Sequence, residues 1–158
     1  MDIMMVVFVL IGMAILGLIA HNMLKDLNDD IQADDSINAD VKATSQTLQT
    51  GFPTWMDNAF LFATVLLWVF VIISSFVVDT HPAFLIVTII LLIFAFIAAM
   101  LLSNTFEELT QDSEYAGLNT QFPITYWIMN HLLTIVIIMG GSVLIALYGK
   151  NRFVGAGG

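Results

Sequence analysis

The sequence predicts an all-α integral membrane protein whose four transmembrane helices form two tandem-duplicated helical hairpins, with acidic loops on one side. The first observation behind this is composition. Of 158 residues, 59% are hydrophobic and only 11% are charged, whereas a soluble domain carries about a quarter charged. The mean hydropathy is +0.92. The second is distribution: four stretches contain no Asp, Glu, Lys or Arg and are apolar on all sides, as lipid requires. The third is a repeated motif placed before the second and fourth stretches. A membrane β-barrel is excluded because its strands alternate polar and apolar over about ten residues, and these runs do not alternate.

Each run is long enough to cross a hydrocarbon core of roughly 30 Å at about 1.5 Å per residue. The first hairpin covers residues 1–78: a span at 3–24, an acidic loop at 25–57 and a span at 58–78. A linker follows at 79–83. The second hairpin covers 84–158: a span at 84–105, an acidic loop at 106–125, a span at 126–149 and a short tail. The first run reads as a retained span. Met1-Asp2 offers no basic n-region, and Ile3 to Ala20 is too long for a signal core and lacks a small-residue cleavage site.

Within the first loop, Leu24, Leu27 and Ile31 fall at helical spacing and carry the first helix past the membrane surface. Asp34-Asp35-Ser36 is a break, with Ser36 a candidate N-cap. Ile37, Val41 and Leu48 then predict a short amphipathic helix on the surface. The link Asp79-Thr80-His81-Pro82-Ala83 is short enough to make spans two and three an antiparallel neighbour pair, and Pro82 keeps them from fusing. The first long loop carries Asp26, Asp29, Asp30, Asp34, Asp35 and Asp40; the second carries Glu107, Glu108, Asp112 and Glu114. Both lie on one side and both termini on the other. Lys150 and Arg152 weigh against Lys25 and Lys42; Lys42 lies farther from a span, which places the termini inside.

The repeat is the most specific signal. Leu48-Gln49-Thr50-Gly51-Phe52-Pro53 matches Leu118-Asn119-Thr120-Gln121-Phe122-Pro123, and Trp55 and Asn58 match Trp127 and Asn130 after a shift of two. Asn22-Met23-Leu24-Lys25-Asp26-Leu27 aligns in the same way with Asn104-Thr105-Phe106-Glu107-Glu108-Leu109. Two matches in one order imply a duplication, with a pseudo-two-fold along the membrane normal. Convergent use of interfacial residues is the simpler alternative, since Trp, Asn and Pro all favour span entrances. Pro53 and Pro123 are expected in the first turn of a helix, where the missing N–H is not needed. Phe52 and Phe122 are expected to dip into the acyl boundary, with Trp55 and Trp127 at headgroup level. Asn58 and Asn130 are expected to satisfy the helix entrance or to bond across helices.

Net charge is −9 with four basic residues and no cysteine. That excludes a nucleic-acid footprint, thiol chemistry and a polybasic lipid site. No span contains an ionisable acid, Lys or Arg, which argues against a proton-coupled carrier. His21 and His131 stand at the loop-side interface and His81 opposite. With Asp57, the first two would make a weak metal or pH-sensing site if spans one and four pack together; histidines bonded to water are the ordinary reading. The acids of 26–40 lack the Gly and terminal Glu of a calcium loop. Ala59/Ala63, Ala95/Ala99 and Ser142/Ala146 are small pairs for close helix packing, and Gly140-Gly141 kinks the fourth span or admits a neighbour. Ser74, Ser75 and Thr134 are expected to bond between helices.

No catalytic residue, cofactor or metal is expected. The reading is a non-enzymatic structural or assembly protein that scaffolds or shapes a membrane, as in a lipid-containing virion, a bacterial membrane or an organelle. Its partners would be the lipid bilayer and other membrane or capsid-type proteins, reached through the acidic loops, in an oligomer or larger assembly. The alternatives are a passive channel or holin-like pore, and an accessory subunit of a larger complex.

Overall fold

The computed structural model describes residues 3–77, 82–111 and 117–155. Every regular element among them is a helix: α1 (Ile3–Ala33), α2 (Ala39–Val77), α3 (Pro82–Gln111), α4 (Leu118–Gln121), α5 (Pro123–Asn130) and α6 (Leu132–Gly155). Linker residues 78–81, with His81, and residues 112–116, with Asp112 and Glu114, lie outside the described residues. Three helices, α1, α2 and α3, are each long and apolar enough to cross a membrane; α5 and α6 make a fourth span if their bent pair is taken together.

Most of the chain expected as acidic loop is helix. α1 has 31 residues and α2 has 39. At about 1.5 Å per residue these reach roughly 46 and 58 Å, well beyond a core of about 30 Å. The excess forms a two-helix stalk, and only residues 34–38 turn. The expected short surface helix is therefore the top of α2. At the turn, Asn38 rather than Ser36 is the cap: its Oδ1 accepts from the Asp40 amide at 3.1 Å. Ser36 instead donates through its amide and hydroxyl to Asp34 Oδ1 at 2.8 and 2.7 Å. Gln32 Nε2 donates to the Lys42 carbonyl at 2.9 Å and Lys42 Nζ to the Gln32 carbonyl at 3.0 Å, clasping the two helices. Lower down, buried Asn28 accepts from Ser45 Oγ at 3.0 Å. At the other end α6 runs to Gly155, into the expected tail.

Below the stalk, α1 packs on α2 and α3, and α6 packs on α2 and α3. The order around the bundle is thus α1, α2, α6, α3, with α2 and α3 at opposite corners. This corrects the expectation that the short link makes spans two and three packed neighbours. Five Cα–Cα steps separate Val77 from Pro82, a reach of about 17 Å. A diagonal across helices packed about 10 Å apart is only about 14 Å. The order also differs from that of a two-fold along the membrane normal, which would set α1 opposite α3 and α2 opposite α6; those pairs are neighbours here.

Apolar side chains fill the axis: Val6, Leu10, Phe60, Ala95, Ala99 and Val136 are fully buried. Ala95 and Ala99 bring α3 in closely, and Leu92 of α3 rests on Gly140 of α6. Gly140 thus admits a neighbour, and α6 continues through Gly140-Gly141 as helix. Ala146 is buried and Ser142 half-buried, whereas Ala59 is exposed and Ala63 half-buried. Ser74 and Ser75 donate to the Phe70 and Val71 carbonyls of their own helix, not across helices. Of the three long spans α1 is the most enclosed: 44% of its most apolar stretch is buried, against 22% for α2 and 17% for α3. α3 therefore offers most of its surface outward.

Candidate functional site

The most organised polar site lies where the stalk meets the bundle, at the two Phe-Pro elements. They fold differently. Gly51-Phe52-Pro53 lies within the unbroken α2, so Pro53 is an interior proline and not the first-turn residue expected. It withholds the N–H that Gln49 would otherwise bond. Phe122 interrupts the chain between α4 and α5, and Pro123 is the first residue of α5, as expected. The approach to it turns at Gly117, whose φ of 97° favours glycine and whose carbonyl accepts from the Thr120 and Gln121 amides.

A broken helix leaves its first amides without partners. Phe122, in the capping position, has no side-chain acceptor and makes no cap bond. Asp57 of α2 supplies one from across the bundle. Its two carboxylate oxygens accept from the Ile124 amide at 2.9 Å and the Thr125 amide at 2.6 Å. Asp57 is only 4% exposed. A carboxylate at a helix N-terminus also faces the positive end of the helix dipole. The sequence reading placed Asp57 at the end of a loop; the available signal was an acid just past Trp55 with no basic neighbour, in a run turning apolar.

His21 of α1 is buried between the two copies. Its ring lies 6.3 Å from Phe52, nearly parallel, and 5.4 Å from Phe122, edge-on. Its Nδ1 is enclosed and makes no hydrogen bond. Phe122 is fully buried and Phe52 half-buried, so both turn toward the bundle. Beneath them Met13, Gly17, Met56, Phe60, Phe122 and Thr125 leave no space for a water molecule. A Cβ at Gly17 would meet Met56 Cε at 2.9 Å, which records how closely α1 and α2 approach.

His131 stands apart from this cluster. It is exposed, its ring stacks on Trp127 at 4.8 Å, and its Nδ1 lies 2.8 Å from the Trp127 carbonyl. Trp55 and Trp127 are themselves exposed, at 68% and 58%. Asn58 is exposed, and Asn130 is half-buried with Oδ1 enclosed and unbonded. At His131 the chain bends by 69° between α5 and α6. No proline causes this bend. Ser103 of α3 donates to the Met129 carbonyl at 2.8 Å, a bond between helices at the point of bending. Neither this bond nor the Asp57 cap follows from the sequence pattern.

Among the described residues, no three His, Asp or Glu side chains gather closely enough to hold a metal ion. The alternative His21–His131–Asp57 grouping, conditional on spans one and four packing together, is not formed: His21 is enclosed by phenylalanines, His131 faces outward, and Asp57 is committed to two amides. The Asp57 cap and the Ser103 bond fix a short helix across α2 and α3, the two opposite corners of the bundle.

The fold and this site define an all-helical protein of the multi-pass membrane class. Compared with protein families, characterised proteins and solved structures, the chain matches none.

Proposed function

We propose that this protein is a non-enzymatic structural or assembly component of a membrane, which anchors and rigidly presents an acidic helical stalk to partner proteins. The observation that carries the reading is the contrast between its two parts. The bundle is closed by apolar side chains along its axis, and Thr64 and Ser75 turn their hydroxyls back to carbonyls of their own helix. Hence the described residues of a single chain offer no continuous polar path along the axis. The acids Asp26, Asp29, Asp30, Asp34, Asp35 and Asp40 collect instead on the stalk and are all exposed. Both termini are assigned to the side opposite the stalk, and the two Phe-Pro elements are read as descendants of a duplicated hairpin. A lipid-containing virion is one suitable setting.

A second reading, an accessory subunit or an oligomeric pore, draws on α3, only 17% of whose apolar stretch is buried. That surface suits lipid or neighbouring helices equally. Release of ions and a small dye from liposomes reconstituted with purified protein tests for the pore. Vesicles that stay tight at high protein density exclude the pore and leave the structural or subunit reading. Release that saturates with protein and disappears in Ser74→Leu or Ser142→Leu overturns it.

A further inference from the structure

The stalk carries an apolar groove where water, not lipid, is the expected surroundings. Leu24, Leu27 and Ile31 of α1 face Val41, Thr44 and Leu48 of α2 around a groove of about 350 Å³. Leu27, Val41 and Leu48 remain 54%, 50% and 48% exposed. Exposed Trp55, an interfacial anchor by its chemistry, marks the headgroup level on α2. Leu48 and Val41 stand seven and fourteen residues before it, which is about 10 and 20 Å farther along the helix. The groove is therefore above the acyl region, and leaving it uncovered in water is unfavourable.

Its rim is graded. Along α1, Met23, Leu27 and Asp30 share one edge at helical spacing, which Asp34 continues at the turn; along α2, Asp40, Thr44, Thr47 and Gly51 do the same. Both edges are acidic at the far end and uncharged toward the membrane. The stalk has two cations: Lys42 is engaged with the Gln32 carbonyl, and Lys25 is exposed at the membrane end, away from the acids at the far end. Charge complementarity thus selects the occupant. A second copy of the stalk would bring acid against acid, and an acyl chain would leave the acids unanswered.

We propose that the groove is a docking site for an amphipathic α-helix of a partner protein, with apolar residues at i, i+3 or i+4, and i+7, and Lys or Arg beside them at the end that meets Asp30 and Asp40. This rests on the stalk-presenting reading above and gives the partner its chemistry. The partner's apolar side chains fill the groove, making the stalk a three-helix bundle, and its cations pair with the two acidic edges.

The test uses the full chain in nanodiscs of zwitterionic phosphatidylcholine. The probe is a fluorescent helical peptide of about 14 residues, roughly four turns, with Leu on one face and Lys on its flanks. A second peptide has Glu for Lys, and empty discs give the background. Saturable binding of the Lys peptide is expected. Leu27→Asn with Val41→Asn should weaken it about tenfold or more, since two half-buried apolar contacts are lost. Asp30→Asn with Asp40→Asn should weaken it several-fold and flatten its dependence on salt. All four positions are exposed, so folding is expected to survive, with circular dichroism as the check. The proposal is overturned by absence of saturable binding, by equal binding of the Glu peptide, or by binding that neither pair of substitutions changes. Pairing of protein-loaded discs abolished by Leu27→Asn with Val41→Asn would also overturn it, in favour of a second copy. Liposome leakage would remove the structural reading and leave this binding result standing, so the two failures are separable.

Discussion

The Leu-(Gln/Asn)-Thr-x-Phe-Pro motif appears before Asn58 and again before Asn130, and the two copies take different backbone paths. In the first, the helix runs through Phe52-Pro53 without interruption; in the second it stops at Phe122, restarts at Pro123 and bends again at His131. Surroundings account for the difference. The first copy continues a helix that α1 clasps through Asn28–Ser45 and the Gln32–Lys42 pair, so a lost proline bond does not end it. The second follows a glycine turn and a helix of only four residues. The two copies are also complementary. Asp57 belongs to the first, while the position aligned with it in the second is Met129, which is fully buried. The unbroken copy therefore holds the acid that caps the broken one. A local motif proposes a helix start, and its tertiary contacts decide whether the chain takes it.

The largest effect is expected from removing that link. Asp57→Ala leaves two enclosed amides without acceptors and should cost about 2–4 kcal/mol, read by chemical unfolding in detergent. Asp57→Asn keeps one acceptor and should cost less. A loss no greater than that of exposed Asn58→Ala would break the comparison. Next come the prolines. Pro53→Ala restores a helical donor and should stabilise by about 1 kcal/mol, allowing for lost packing of a buried ring. Pro123→Ala gains no such bond and should be neutral or slightly destabilising. The reverse pattern in the same unfolding assay, with Pro123→Ala stabilising and Pro53→Ala not, would mean that the continuous and broken copies are assigned the wrong way round.

Ser103→Ala should cost about 1 kcal/mol and loosen the bend, seen as faster amide exchange around His131. An unchanged exchange rate there would show that the bend does not depend on α3. The smallest effect concerns the stalk turn. Asp34 is held below the usual carboxylate range by the Ser36 hydroxyl and amide. Its contribution is present above the ordinary Asp pKa and is lost as pH falls through the depressed folded value. Acidification below about pH 4 should therefore loosen the turn slightly, and Ser36→Ala should move the Asp34 titration, followed by NMR, back upward. A titration unchanged by Ser36→Ala would remove this bond from the account.

Much of the helical plan was legible because lipid imposes it. Unbroken apolar runs mark helices, and the spacing of Leu24, Leu27 and Ile31 carried α1 past the surface to a turn at Asp34–Ser36, as observed. Three features were hidden for physical reasons. Proline penalises a helix locally, so Pro53 read as a beginning; only the α1 contacts of the stalk explain why it is an interior residue. Asp57 read as the end of a loop, near His21 and His131, because the amides it caps, Ile124 and Thr125, are 67 and 68 residues away in sequence. The link at 79–83 read as a tight hairpin because reach sets only a maximum separation, and a diagonal lies within it. The candidate site was half visible: Phe52, Phe122 and their prolines were singled out, while their shared contact with His21 depends on bundle order.

The most direct measurement is hydrogen exchange of the wild-type protein and Asp57→Ala in nanodiscs, resolved to the Ile124 and Thr125 amides. The account predicts that these amides are protected in the wild type and exchange about a hundredfold faster in the variant, while the amides of Phe52 and Thr54 in the continuous copy barely change. Equal protection of Ile124 and Thr125 in both proteins, or a uniform change across both copies, would contradict it.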